Sequence, residues 1–319
     1  MTLAARSVAV VVPNWNGAQF IGRTLDALQA QRRRPDEVVV VDNGSTDDSL
    51  ALLASSHPDV SVVALGRNTG FAAAANAGLR ATQSDLVVVL NSDARPRPDW
   101  LARLLEQPDD PAVWAWGSVL VTPAGLIESA GDHYDPSGYA HKLFAGGRLD
   151  ELPSTPYRVF APPGACPLLR RDVALALGGY EERFFLYYED IDLAYRALLA
   201  GYSAWMVPTA VVEHDLARSS GGSSRPWFYI ARNSLWCAVR CQPQVRASAL
   251  LSRSRREWRT ARSRGGGRAY LAGRLTGLLG LRWALRTRRA VQRSRTLDVS
   301  AVDAVLHRPP LPRFAGKPA

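Results

Sequence analysis

The 319-residue sequence has no uncharged apolar run of the roughly 20 residues needed to cross a bilayer, so no spanning helix is expected. Cysteine is scarce: Cys166, Cys237 and Cys241 are the only three, and no second close pair completes a zinc site. Reduced thiols in a cytosolic setting are the expectation. The early apolar run in "SVAVVVPN" meets Pro13 and Asn14 without a small-residue cleavage pattern, so it reads as a buried first strand and not as a signal segment. Gly17 stands without partners where a dinucleotide fold would carry G-x-G-x-x-G, which disfavours nicotinamide and flavin cofactors. There is no G-x-x-x-x-G-K-[ST] for a P-loop hydrolase, and no helix-turn-helix, zinc-finger or RNA-recognition signature.

What is present is a large apolar fraction, 47%, and a net charge of +10 that hides an asymmetry. Residues 1–215 carry 17 basic against 26 acidic side chains, whereas residues 216–319 carry 22 against 3. An acidic body is followed by a basic tail, and each needs its own explanation.

Along the body, apolar runs alternate with helix-like stretches. "VAVVV" (8–12), "VVVV" (38–41), "VSVVAL" (60–65) and "LVVVL" (86–90) each precede a helical pattern. Continuous apolar strands need cover on both faces, so a mainly parallel sheet flanked by helices is expected. Ser45-Thr46-Asp47-Asp48 looks like a capping box opening the second helix. Polar clusters follow the strands: Asn14-Trp15-Asn16-Gly17, Asp42-Asn43-Gly44-Ser45, Arg67-Asn68-Thr69-Gly70 and Asn91-Ser92-Asp93. Each alone is an ordinary turn or cap, but four at equivalent positions should line one cleft at the carboxyl ends of the strands. Asp42 could accept from a base or ribose, and Asp93 suits a hard divalent cation. A nucleoside diphosphate with a metal fits these clusters best.

"VVVPNWNG", "VVVDNGSTDDS", "RNTGFAAAANAG", "VVVLNSDA", "LGGYEERFFLYYEDIDLAYRALLAGY" and "VVEHDLARSSGGSS" occur in this order. At these motifs, over residues 6–225, the chain resembles a family 2 glycosyltransferase of the GT-A type, in its rhamnosyltransferase-like branch. The resemblance implies a GT-A catalytic domain over 1–225. Its first half (1–107) would bind a nucleotide-activated sugar, its second half (108–225) the acceptor, and a basic, mainly helical extension (226–319) follows. It implies that Pro13, Asn14 and Asn16 help hold the nucleotide, with Asp42 on the base, Asn68 and Asn76 nearby, and Asn91 and Ser92 also among the donor-binding residues. Asp93, the last position of a D-x-D-type motif whose first acid is here Asn91, would ligate Mg²⁺ or Mn²⁺. His214 would be a further contact to metal or diphosphate; otherwise it is a packed residue after a strand. The glycine-serine loop 219–224 would close over the donor.

"FFLYYEDIDLAYR" (184–196) sets Glu189 and Asp190 behind five bulky residues. Asp190 heads a helical pattern and reads as its N-cap, which leaves Glu189 unexplained. An acceptor hydroxyl is a poor nucleophile, and a carboxylate in reach can take its proton. By resemblance Asp190 is that base, Glu189 positions the acceptor or supports Asp190, and the sugar transfers with inversion. Asp192 is expected to be structural. The aromatic run would form a sugar platform, with part of it in the core. Gly164-Ala165 would sit near donor and acceptor. Asp132-His133-Tyr134 would suit metal or base chemistry, but so short a cluster reads as a loop.

In the tail, Leu271, Leu275, Leu278 and Leu285 cluster on a helical projection, opposite Gly273, Gly277, Gly280 and Ala284. Peripheral attachment to an anionic membrane is expected, on the inner face of the plasma membrane of a cytoplasmic protein. A solvated helical surface packed on the body and nonspecific polyanion binding are the alternatives; no specific nucleic acid is expected. The expected activity is transfer of a sugar, rhamnose first, to a glycan or lipid-linked acceptor in bacterial surface polysaccharide synthesis. Galactofuranose, mannose or N-acetylhexosamine transfer, or a noncatalytic glycan- or nucleotide-binding protein, are the alternatives.

Overall fold

The computed structural model describes residues 1–215 and 224–307. The first part of the chain alternates strand and helix: β1 (Val8–Asn14), α1 (Ala18–Gln29), β2 (Glu37–Asp42), α2 (Ser49–Ser56), β3 (Ser61–Ala64), α3 (Phe71–Ala81) and β4 (Leu86–Val89). β1 pairs in parallel with β2 and β4, and β2 with β3, as the apolar runs predict. Pleating sends alternate side chains to opposite faces. Val8, Val10 and Val12 join Ile21, Leu25 and Leu28 of α1 in one apolar cluster, whereas Ala9 and Val11 join Ala72, Ala75 and Leu79 of α3 in another. The register sets Asn14 opposite Asp42, so the polar ends of β1 and β2 emerge side by side.

Next come β5 (Ala94–Pro96), α4 (Trp100–Leu105), β6 (Val113–Val121), β7 (Ile127–Ser129), β8 (Asp132–Tyr134), β9 (Ala140–Lys142), β10 (Tyr157–Val159), β11 (Leu168–Arg170), α5 (Arg171–Ala176), α6 (Glu189–Leu199) and β12 (Ser203–His214). They extend the sheet to the order β10-β12-β6-β11-β4-β1-β2-β3, with β5 on β12 and β7 on β6. β11 is antiparallel to both neighbours, so the sheet is mixed beyond its parallel half. β8 and β9 form a separate hairpin. Asp132-His133-Tyr134 is therefore a strand and not a loop, because all three side chains are buried and the backbone pairs with residues 140–142.

Two helix starts differ from expectation. α2 begins at Ser49, after the proposed capping box, because Asp47 accepts from the Ser49 backbone N–H and hydroxyl in a local turn. α6 begins at Glu189 with Tyr188 in a left-handed conformation at the cap position. Asp190 thus lies inside the first turn and is not the N-cap.

Among the described residues the tail forms five helices: α7 (Arg225–Cys241), α8 (Ala247–Ser263), α9 (Gly267–Leu279), α10 (Leu281–Arg293) and α11 (Val299–Leu306). They do not form a detached extension, since Trp236, Cys237, Val239, Ala284, Val291 and Val302 belong to the same apolar cluster as α3 and α6. Asp192, fully buried, accepts from Arg196 at 2.8 Å and from Arg240 of α7 at 2.9 Å. Cys237 and Cys241 adjoin this carboxylate, but the two guanidinium groups already supply its positive partners; all three cysteines are free and buried.

Candidate active site

The first two loops brace one another. Asn14, 1% exposed, donates to Asp42 Oδ1 at 3.4 Å and to the Ser45 hydroxyl at 3.3 Å, and Asp42 Oδ2 accepts from Ser45 N at 3.1 Å. Asn16 accepts from Thr46 N at 2.7 Å. Asn68 accepts from Gly70 N and from Asn43, which itself caps Thr69. Pro13, the next-to-last residue of β1, is half-buried beside these turns. Asn76 is different. Its amide donates to Tyr180 O and Glu182 and accepts from Tyr180 N, all within 3.0 Å, so it brackets α3 to the segment before α6. Its amide, expected near the nucleotide, is bonded to protein partners in a site 4% exposed.

Asn91, Ser92 and Asp93 follow β4. β5 then pairs with β12 in a register that puts His214 opposite Ala94, which brings His214 to the carboxylate of Asp93. His214 Nε2 lies 3.2 Å from Asp93 Oδ1 and 3.3 Å from Asn91 Nδ2, while Nδ1 lies 2.7 Å from Glu128 Oε2. Glu128 in turn accepts from Lys142 Nζ at 2.6 Å. Burial disfavours the charged ring, but the bonds to Asp93 and Glu128 outweigh it and push the His214 pKa up to about 9. Burial also opposes the Glu128 charge, yet His214 and Lys142 hold it down to about 2. With both ring nitrogens on carboxylates the ring carries a proton on each; a divalent cation held by Asp93 Oδ1 and His214 Nε2 would take the place of the Nε2 proton, while Glu128 keeps Nδ1 fixed.

Glu189 and Asp190 come from the other side. Before them, Phe185, Tyr187 and Tyr188 all adopt positive φ, which is costly for side-chain-bearing residues and collects at functional sites. Asn233 of α7 holds this turn: its fully buried Nδ2 reaches the carbonyls of Phe184, Leu186 and Tyr187 at 2.9, 2.8 and 2.7 Å. Phe184 and Tyr188 are core residues, whereas Phe185, Leu186 and Tyr187 remain half-buried. Glu189 is 5% exposed, and its Oε2 has no hydrogen-bond partner among the described residues. Burial, and then the charge of Asp190, raises its pKa well above the ordinary range. Asp190 is partly accessible and its pKa is raised by burial, against a lowering influence of Lys142.

Two links bring these groups together. Lys142 bonds Glu128, the partner of His214, and lies within electrostatic reach of Asp190. The second link is the Gly164-Ala165 turn: Ala165 O accepts from Asn91 N at 2.9 Å, and a Cβ on Gly164 would collide with the Asp190 carboxylate. Asp132, whose pKa burial and the charge of Asp190 raise, lies on the same side. Glu128 and Lys142 escaped sequence analysis, and Asp132 was singled out there but read as part of a loop, since each comes from a three-residue strand. The loop 219–224 lies outside the described residues except for Ser224.

Comparison with known proteins agrees with this architecture. Over 242 residues the chain is 28% identical to the N-acetylglucosaminyl-diphospho-decaprenol L-rhamnosyltransferase of Mycobacterium tuberculosis, covering 66% of this chain and 77% of the relative. The fold is similar to that of GalNAc-T7 solved with UDP, GalNAc and Mn²⁺ (TM-score 0.63, 19% identity, 78% of this chain and 50% of that one). It is also similar to the mannosyltransferase PcManGT of Pyrobaculum calidifontis solved with GDP-Man and Mn²⁺ (TM-score 0.55, 21% identity, 94% and 87%). These are GT-A folds, with a largely parallel sheet flanked by helices. The profile of Glycosyl transferase family 2 matches residues 9–177, more than half of the chain, and the protein belongs to that family.

Proposed function

We propose that this glycosyltransferase moves a sugar, rhamnose in the first instance, from a nucleoside diphosphate to a hydroxyl of a lipid-linked glycan, with inversion and with a divalent metal. The convergence of Asp190 and Glu189 with the Asp93–His214 pair across the Gly164-Ala165 turn is the observation that supports it best. Residues 1–107 would hold the donor and residues 108–225 the acceptor. Rhamnose and the lipid-linked acceptor rest on the named relative; bacterial surface polysaccharide synthesis is the setting they suggest.

The chemistry assigned to the residues is direct. The acceptor O–H gives its proton to an Asp190 carboxylate oxygen as the oxygen bonds the anomeric carbon, and the bond from that carbon to the diphosphate oxygen breaks with its electron pair leaving on the nucleotide. No sugar–enzyme bond is formed. Glu189 Oε2, buried without a partner, is available to orient an acceptor hydroxyl. A bound Mg²⁺ or Mn²⁺ supplies positive charge for the departing diphosphate, and Asp93 and His214 are the residues that would hold it. Glu128 fixes the imidazole, and the turn around Asn16, Asp42 and Ser45 cradles the nucleoside. The half-buried Phe185 and Tyr187 restrict water at the reacting centre. Thermal shift with a panel of nucleotide sugars, each with Mg²⁺ or Mn²⁺, tests the donor class. Stabilisation by one nucleoside diphosphate sugar that requires metal is expected; no response to any of them contradicts the reading.

A further inference from the structure

The outer side of α9 plays no part in the chemistry above. Leu271, Leu275, Leu278 and Leu279 recur at helical spacing over about 12 Å and are 55, 61, 56 and 76% exposed. The opposite side of the helix is accounted for: Gly273 faces the Phe228 carbonyl, Gly277 faces Arg232 and Leu235, and Gly280 faces the Trp236 ring. The leucine stripe is therefore the side that α9 turns away from the body. Over residues 267–293 there is no acidic residue, and there are seven arginines. Arg268, Arg282, Arg286, Arg289 and Arg293 are exposed, as is Leu285 among them. No helix among the described residues is long and apolar enough to cross a membrane.

We propose that this face of α9 and α10 docks on an anionic lipid surface, with the leucines entering the acyl boundary and the arginines meeting headgroup phosphates. A merely solvated face would not gather four leucines each more than half exposed. Nucleic acid would occupy the arginines and leave the leucines in water. A second copy of the chain would bring two arginine clusters together with no acid to pair them. The inference stands apart from the sugar, the acceptor and the reaction.

Sedimentation of the full chain with phosphatidylcholine vesicles, with and without phosphatidylglycerol, tests it. Binding to the anionic vesicles should be at least about tenfold tighter than to neutral ones and should weaken with salt. Leu275→Ser/Leu278→Ser and Arg282→Glu/Arg286→Glu should each reduce that binding by about tenfold or more. Both variants should keep the melting temperature and donor affinity of the parent, because the side chains are exposed, and this separates lost docking from lost fold. Three results would overturn the proposal. The leucine variant could bind anionic vesicles like the parent. The parent could bind duplex DNA but not vesicles. It could also be a dimer that the leucine variant dissociates.

Discussion

Glu189 pairs deep burial with an unpartnered oxygen, and a second carboxylate follows it in sequence. Because both pKa values are raised on folding, the folded chain holds protons that the unfolded chain releases. Stability is therefore withdrawn as pH rises through and above the ordinary carboxylate range. Glu189→Gln should raise the melting temperature at pH 7 by roughly 2 °C or more while lowering turnover, read by calorimetry beside an activity assay. For Asp190 to act as a base it must be ionised, so its raised pKa places the acid limb of the kcat/KM profile above the ordinary Asp value. Lys142→Met removes a charge that favours the carboxylate, and the limb should move to still higher pH. Glu128→Gln should weaken Mn²⁺ binding about 10–100-fold, measured by titration calorimetry, since Nδ1 of His214 loses its carboxylate partner. Asp190, Glu189, Asp93 and His214 stood in recognisable strings of sequence. Glu128 and Lys142 did not, because their place depends on how short strands pair and not on any local period.

At the scale of elements, the turn before α6 stores backbone strain that α7 contains. Asn233→Ala would leave carbonyls of a buried turn without their donor, at a cost of about 2 kcal/mol, and would let Phe185, Tyr187 and Tyr188 relax. Urea unfolding should show the loss of stability, and kcat should fall more than donor KM rises, since the change acts on the acids and not on the nucleotide loops. A rise in donor KM alone would assign Asn233 to the donor half. The four strand–helix units were readable because such apolar runs mark strands; burial follows for β1, β2 and β4, whereas β3 ends the sheet and leaves Val62 42% exposed. Helix starts were less so. Local hydrogen bonds of Asp47 delay α2, and the left-handed Tyr188 advances α6, and neither is visible in a pattern of apolar positions. The small-residue face of α9 was readable, but what it packs against was not.

The charge asymmetry of the chain does not divide its packing at residue 225. The apolar cluster that contains Trp236, Val291 and Leu306 also contains Val11, Leu193 and Tyr195, and the buried Asp192 draws one of its cations from α7. A chain ending at residue 224 would leave that carboxylate short of a partner and expose the α6 face, so it should show no cooperative thermal transition. The basic composition beyond residue 215 set these helices apart in the sequence, although their apolar faces pack into the same cluster as α3 and α6. The central claim joins the acid after the strained turn to the Asp93–His214 pair beyond β4 and at the end of β12 in one reaction site. Asp190→Asn tests it most directly, with donor binding followed by calorimetry and transfer followed on the same preparation. Donor Kd should stay within about threefold while transfer falls by about 10²-fold or more. Undiminished transfer by the folded variant would contradict the account.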